Sequence, residues 1–406
     1  MSIKRAVNDL ALLGGPQSYA ELRHVGRPNM GDKRAILARF EEILDRRWFT
    51  NDGPCVRELE YEVARYLGVR NCVAVANGTL GLELAVRALG LSGEIIVPSF
   101  TFVATAHAVR WMGYTPVFAD VTRETHSLDV AHVERLITPR TTGILGVHLW
   151  GIPCDVSALQ ALADRKGLKL LFDAAHAFGC SLEGVMVGNF GAAEVFSFHA
   201  TKFFNTFEGG AIATNDDELA RECRRIRNFG FAGYDNVTSL GTNAKMSEVC
   251  AAMGLESLRS IDEFVVDNRR NHGCYARLLE DIPGLALVHY SPTEANNFQY
   301  VVVLVDAARA GLTRDELVKV LHAENVFARR YFTPGTHAMA AYAEGALGVD
   351  LPVTEWLAES IMCLPTGTAI NTADVEQICS ILRIAVAHAS TVRESLQESS
   401  LARSVL

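Results

Sequence analysis

The stretch CVAVANGTLGLELAVRALGLSGEIIVPS, residues 72–99, decides the fold. Its opening, CVAVAN (72–77), is rich in valine and small residues and predicts a strand. TLGLELAVRALGL (79–91) then places apolar residues at i, i+3 and i+4, the period of an amphipathic helix. EIIVPS (94–99) returns to a short apolar run and predicts a second strand. The pattern repeats outward. FVATAHAVRWMG (102–113) and DVSALQALADRKG (155–167) predict helices, the second closed by Gly167. TPVFADV (115–121), TTGILGVHLWG (141–151) and LKLLFDAAH (168–176) predict strands. Strands that are apolar on both faces and alternate with helices imply an α/β fold, a mostly parallel sheet covered on both sides. The last two predicted strands, AEVFSFHA (193–200) and GGAIAT (209–214), are separated only by 201–208. That is too short for a crossover helix, so an antiparallel edge or hairpin is expected there.

Beyond this repeat, residues 245–280 predict a long helical region able to link two domains. A strand at 296–306 and helices at 313–325 and 372–389 then suggest a smaller α+β domain. The expected division is a large domain, residues 1–255, and a small one, 256–406. The polar end, STVRESLQESSLARSVL, is expected to fray.

Composition narrows the partners. The 406 residues are 49% hydrophobic and 21% charged, which excludes disorder over most of the chain. A net charge of −9, with no basic run, argues against nucleic acid or an anionic membrane as partner. No stretch approaches the roughly 18 apolar residues that a membrane span needs, and the ALLGG run near the start is too weak for a signal peptide. A cytoplasmic protein is expected. The nine cysteines are scattered without a CxxC pair and read as small buried hydrophobes.

Four places carry polar groups to predicted strand ends, where open α/β sheets bind ligands. Asn77-Gly78-Thr79 opens a helix and could cradle a phosphate on free amides and a hydroxyl, or serve only as a turn and cap. Asp173 ends LKLLFD, with the small residues Ala174 and Ala175 leaving room for a flat ligand and His176 following; it is either a helix cap or a carboxylate held for a cation. Lys202 lies among Phe196, Phe198, Phe203, Phe204 and Phe207. An amine in an apolar pocket loses basicity, as a Schiff-base lysine requires; a surface lysine in a hairpin is the competing reading. Phe102 offers an aromatic face for stacking on a ring, or for ordinary packing. Together the four are the parts that pyridoxal 5'-phosphate requires, and no GxGxxG, Walker A, HExxH or GxSxG sequence competes.

SFHATK around Lys202, followed by EGGA, and DAAHA (173–177) resemble the DegT/DnrJ/StrS family of nucleotide-sugar aminotransferases. RRWFTNDGPCVRELE (46–60), VPSFTFVATAHAV (97–109), RNFGF (227–231), GTNAKMSEVCAAMG (241–254) and LPVTEWLAESIMCLPTG (351–367) follow in the family's order, so the resemblance spans nearly the whole chain. It implies the type I aminotransferase fold, a mostly parallel seven-stranded sheet, and a homodimer with shared active sites. It implies that Lys202 holds the cofactor and shuttles the proton, and that Asp173 pairs with the pyridine nitrogen. His176, where many relatives have Gln, is implied to lie near the phenolic oxygen, with Phe102 stacked on the ring. Gly78, Thr79 and Ser197 are implied to hold the phosphate, and Asn243 to reach it from the other subunit.

The implied donor is L-glutamate, with pyridoxamine 5'-phosphate as the intermediate cofactor form. Relatives that deoxygenate sugars carry His where Lys202 stands, so the lysine favours transamination. Arg329 and Arg330, beside Tyr331 and Phe332, are candidates for the sugar-nucleotide diphosphate, or form a solvated charge pair. LALLGG, HVGRPN and RRWFTNDGP look most like enzymes that aminate dTDP-4-keto-6-deoxy-D-glucose at C4. Amination of 3-keto sugars or cyclitols, and a non-catalytic regulatory relative that only binds the cofactor, are the alternatives.

Overall fold

The computed structural model describes residues 3–345 and 348–404. Seven strands form the central sheet: β1 (Asn71–Val75), β2 (Glu94–Pro98), β3 (Thr115–Ala119), β4 (Thr141–Val147), β5 (Lys169–Asp173), β6 (Glu194–Ser197) and β7 (Gly210–Thr214). Their order across the sheet is β1-β7-β6-β5-β4-β2-β3. Every neighbouring pair is parallel except those made by β7, which runs antiparallel to both β6 and β1. The short 201–208 connection therefore does reverse the chain. β7 is not an edge, however, because β1 adds outside it and its five residues are all buried. The helices Gly78–Ala88, Ala104–Trp111 and Val156–Lys166 occupy the predicted crossovers.

The expected strands overrun the observed ones at their carboxyl ends. Asn77, Ser99 and Ala174–His176 leave the sheet and turn into loops. The helical region at 245–280 divides at Ser260 into Glu248–Arg259 and Ile261–Leu279. A second, antiparallel sheet follows, β8 (Leu285–Leu287), β9 (Val301–Val305) and β10 (Ile361–Leu364), in the order β8-β9-β10. The end of the chain does not fray at Ala389; it forms a helix to Ser404 whose Val392 is fully buried in the second core.

The beginning of the chain also packs there. Leu10 and Tyr19 join that core with Val303, Leu321 and Ile378, although the division at 255/256 grouped them with the large half. The Lys4 amine meets the Glu324 carboxylate at 2.9 Å, both buried, and Arg23–His24 pairs as a short parallel strand with Val326–Phe327. All nine cysteines are free thiols, and only Cys250 is not fully buried. Among the described residues no helix is long and apolar enough to cross a membrane.

One long-range cap joins the motif around residues 46–60 to that around 241–254. The helix Pro54–Leu67 starts at Gly53 with no side chain of its own to cap it. Glu248, fully buried, accepts the amides of Cys55 and Val56, each at 2.9 Å. A Cβ at Gly53 would stand 2.5 Å from the Glu248 carboxyl carbon, so glycine is what lets the carboxylate in. Glu248→Ala is expected to lower the unfolding free energy by about 3 kcal/mol, because two charge-assisted bonds go and two amides lose their acceptor. Urea unfolding followed by circular dichroism checks this; an unchanged midpoint rejects the cap.

Candidate active site

The carboxyl ends of β1, β4, β5 and β6 open onto one cavity of about 640 Å³. Asn77, Val147, Asp173 and Ser197 bring those four strand ends to its wall. Gly78 and Thr79 bring the first turn of the helix Gly78–Ala88, whose amides a helix leaves without intrahelical acceptors. Asn77 Oδ1 accepts the Leu80 amide at 2.9 Å and so sets the direction of that helix. A Cβ on Gly78 would lie 3.0 Å from the Ser197 Cβ, so the missing side chain keeps the two strand ends close. Amides at the positive end of a helix dipole, with the Thr79 and Ser197 hydroxyls beside them, form a cradle for a phosphate.

Asp173 is buried, with its carboxylate held from two sides. Oδ1 accepts the Ala175 amide at 3.0 Å and Oδ2 the Thr105 hydroxyl at 2.8 Å. Burial pushes its pKa up, while those two donors and the charge on Lys202 pull it back. A cation against the carboxylate would favour its ionised form further. His176 stands three residues on. Its Nδ1 accepts the Trp150 amide at 3.3 Å, which leaves Nε2 as the N–H donor. Burial, with the nearby charge of Lys202, holds the imidazole well below its usual pKa, so the ring is a neutral donor.

The lysine and its aromatic neighbours part company. Phe196, Phe198, Phe203 and Phe204 are buried in the core, while Lys202 lines the cavity. The turn is pinned beside it: the Phe203 amide donates to Gln299 at 3.3 Å, and the Phe203 carbonyl accepts from Asn29 at 3.0 Å. Burial lowers the Lys202 pKa to about 8, opposed by the Asp173 charge. Lys202 Nζ donates to the Tyr300 hydroxyl at 3.4 Å.

Phe102 also lines the cavity, 56% exposed, with its ring 6.4 Å from that of Phe332. Arg329 and Tyr331 do so as well, the guanidinium lying over the Phe327 and Tyr331 rings at 5.8 and 5.3 Å. Arg330 does not. It turns away to pair with Asp315 at 3.4 Å, because consecutive residues of an extended segment point to opposite sides. Asn243 is exposed outside the cavity, its backbone bridged to Asn228. Sequence reading missed Thr105, Tyr300 and His24, which line or support the site with Phe332. Thr105 and His24 sit inside motifs already quoted, FVATAHAV and HVGRPN, but nothing local marks them as site residues.

A chemistry follows from this set. A reactive amine of lowered basicity, a carboxylate fixed by two donors, an anion cradle and an aromatic face share one cavity. A flat, anionic cofactor carrying both an aldehyde and a basic ring nitrogen fits all of them. The comparisons agree. Residues 31–383 match the DegT/DnrJ/EryC1/StrS aminotransferase family. The dTDP-4-amino-4,6-dideoxy-D-glucose transaminase of Shigella dysenteriae is 38% identical over 359 residues, covering 88% of this chain and 98% of that enzyme. The Escherichia coli enzyme of the same name is 34% identical over 364 residues, covering 88% and 97%. A crystal structure of DesI in the presence of its TDP-sugar product superposes with a TM-score of 0.93 at 47% identity, covering 97% of this chain and 100% of that one. With the seven-stranded, mostly parallel sheet of the type I aminotransferase fold, the chain belongs to the DegT/DnrJ/EryC1/StrS aminotransferase family.

Proposed function

We propose that this chain is a pyridoxal 5'-phosphate-dependent aminotransferase acting in the cytoplasm. It moves an amino group from L-glutamate to the C4 ketone of dTDP-4-keto-6-deoxy-D-glucose and yields dTDP-4-amino-4,6-dideoxy-D-glucose. The observation that carries the reading is Lys202 and Asp173 in one cavity beside the helix terminus at Gly78. The names of the Shigella and Escherichia coli relatives support the sugar, and the TDP-sugar product with DesI supports the nucleotide.

When bound, the cofactor supplies a conjugated electron sink that lets a proton leave the carbon bearing the nitrogen. Lys202 anchors it and, once its amine is free, takes and returns that proton; an amine near pKa 8 can do both at neutral pH. Asp173 holds the ring nitrogen protonated, kept in place by Thr105 and Ala175. His176, neutral and with Nε2–H free to donate, would hold the phenolic oxygen. Gly78, Thr79 and Ser197 take the phosphate, and Phe102 covers the ring. Arg329 and Tyr331 meet the sugar nucleotide at the mouth by charge and stacking.

The dimer supplies the rest. Trp48, Phe49, Phe207 and Phe229 are 41%, 51%, 46% and 47% exposed in one chain, apolar side chains that a second copy would cover. Asn243 lies in the same part of the chain as Phe229, which suits a residue that reaches the partner's phosphate.

The test is NMR of the product after incubation with pyridoxal phosphate, excess glutamate and dTDP-4-keto-6-deoxyglucose. A new equatorial amine on C4 supports the reaction, its position and its stereochemistry. Unchanged sugar with a cofactor converted by glutamate rejects this substrate; no change in either rejects the transferase.

Lys202→Ala is expected to lose the visible cofactor band and at least 10²–10⁴-fold in turnover, on the order of one acid–base group's contribution. Absorbance spectra and product assays check it. Burial of the amine also has a stability consequence. Its folded pKa, about 8, lies below the ordinary 10.5, so between those values the unfolded chain binds the extra proton. Below pH 8 both states are charged and the folded state carries the full cost; above 10.5 the cost is gone. Lys202→Met, without cofactor, is expected to exceed the parent in stability by up to about 3 kcal/mol at pH 7. The margin should shrink as the pH passes from 8 to 10.5, measured by urea unfolding. A margin independent of pH rejects the shifted amine.

A further inference from the structure

Tyr300 is the one group among the described residues that accepts a hydrogen bond from Lys202 Nζ, at 3.4 Å. It arrives from the second sheet's side of the cavity, one residue before β9, and is almost wholly buried. Three rings fix its phenol. His176 lies 4.4 Å away, Trp150 meets it edge-on at 5.3 Å and Tyr331 at 6.2 Å. Its backbone is fixed too, because the Tyr290 hydroxyl donates to the Tyr300 carbonyl at 2.7 Å. A hydroxyl held this rigidly is a fixed point for a flexible four-carbon side chain. Burial keeps the phenol well above its usual pKa, so it stays a neutral O–H group whatever Lys202 carries.

We propose that Tyr300 is a positioning residue for Lys202: its hydroxyl holds the free amine at the cavity wall whenever the lysine is not bound to the cofactor. The inference rests on the reading of Lys202 as the cofactor lysine. It adds a part for the small half of the chain, which then supplies the hydrogen-bond partner of the reactive amine as well as a wall. Without the cofactor, the ammonium form of Lys202 has Tyr300 as its acceptor and Asp173 as its counter-charge. Removing the phenol oxygen leaves the ammonium at the cavity wall with one partner fewer, which favours the neutral amine. The other charged or titrating groups of the cavity are His176, Tyr331 and Arg329 from the walls, with Glu83, His24, His199 and Glu208. Tyr300→Phe alters none of them, so their contributions cancel between the two proteins.

The experiment uses the full-length protein freed of cofactor. Pyridoxal phosphate is added across pH 6–10, and the growth of the visible band is timed as the Lys202 nitrogen attacks the aldehyde carbon and water leaves. The rate follows the neutral amine, so its pH midpoint reports the amine's own titration. Phenylalanine keeps the ring and its three aromatic contacts, and the loss of one hydroxyl that faces a cavity leaves the core packed. The midpoint in Tyr300→Phe is expected to fall by roughly one to two pH units, the scale of one hydrogen bond to a charged group. A midpoint equal to that of the parent overturns the proposal, even if the rate or the thermal stability changes. If the parent itself forms no band, the cofactor reading fails, and the inference with it. A band of equal midpoint in both proteins removes only Tyr300.

Discussion

A half-buried amine and a buried carboxylate sharing one cavity are the constraint on which the rest of this structure depends. Neither Lys202 nor Asp173 is comfortable there, since burial lowers the basicity of one and raises the pKa of the other. Much of the surrounding architecture compensates. Thr105 and the Ala175 amide fix the carboxylate, Asn29 and Gln299 pin the turn that carries the lysine, and Tyr300 receives its amine. The parallel strand order makes this possible, because β4, β5 and β6 run side by side and deliver their carboxyl ends to one edge.

The cavity is also a joint between the two halves of the chain. Arg329, Tyr331 and Phe332 reach it from beyond the long helices and are tied to the end of β2. The Thr336 amide donates to the Ser99 carbonyl at 2.9 Å, and the Thr336 hydroxyl to the Thr101 carbonyl at 3.2 Å. A further tie lies at the end of β3, where Asp120 accepts the amides of Val353 and Thr354 at 3.0 and 2.8 Å and so caps the helix Pro352–Ser360. These bonds hold the aromatic wall at a set distance from Phe102. They also explain why polar residues such as Ser99, Thr336 and Asp120 are buried without loss: each is saturated by the opposite half.

Much of this was legible in the residues themselves. The helix at 79–91 and the strands flanking it follow from period and β-branching, and each observed element lies inside its expected range or within a residue of it. The strand ends were harder, because apolar runs such as LKLLFDAAH continue past the last ladder bond into residues that are buried for the site's sake. The break at Ser260 was hidden in the same way: a serine between two amphipathic stretches does not announce whether it caps a helix or sits inside one. The helical end of the chain escaped because its polar residues concealed Val392, which is buried in the core, and Leu396, which packs against it.

What the sequence by itself determined is the local and the chemical: which segments are strands, that they are mostly parallel, and which residue types could serve a phosphate, a ring nitrogen and an aldehyde. Periodicity and side-chain chemistry are properties of neighbouring residues, so a single chain reveals them. Only the tertiary structure decided which of two adjacent arginines faces the cavity, and that Lys202 leaves the phenylalanines around it. It alone showed that Thr105, 68 positions before Asp173, and Tyr300, 98 after Lys202, are their partners. Those assignments depend on how the sheet's strands are ordered and how the second sheet docks. Contacts of that kind are set by burial and hydrogen bonding between distant segments, and no local pattern records them.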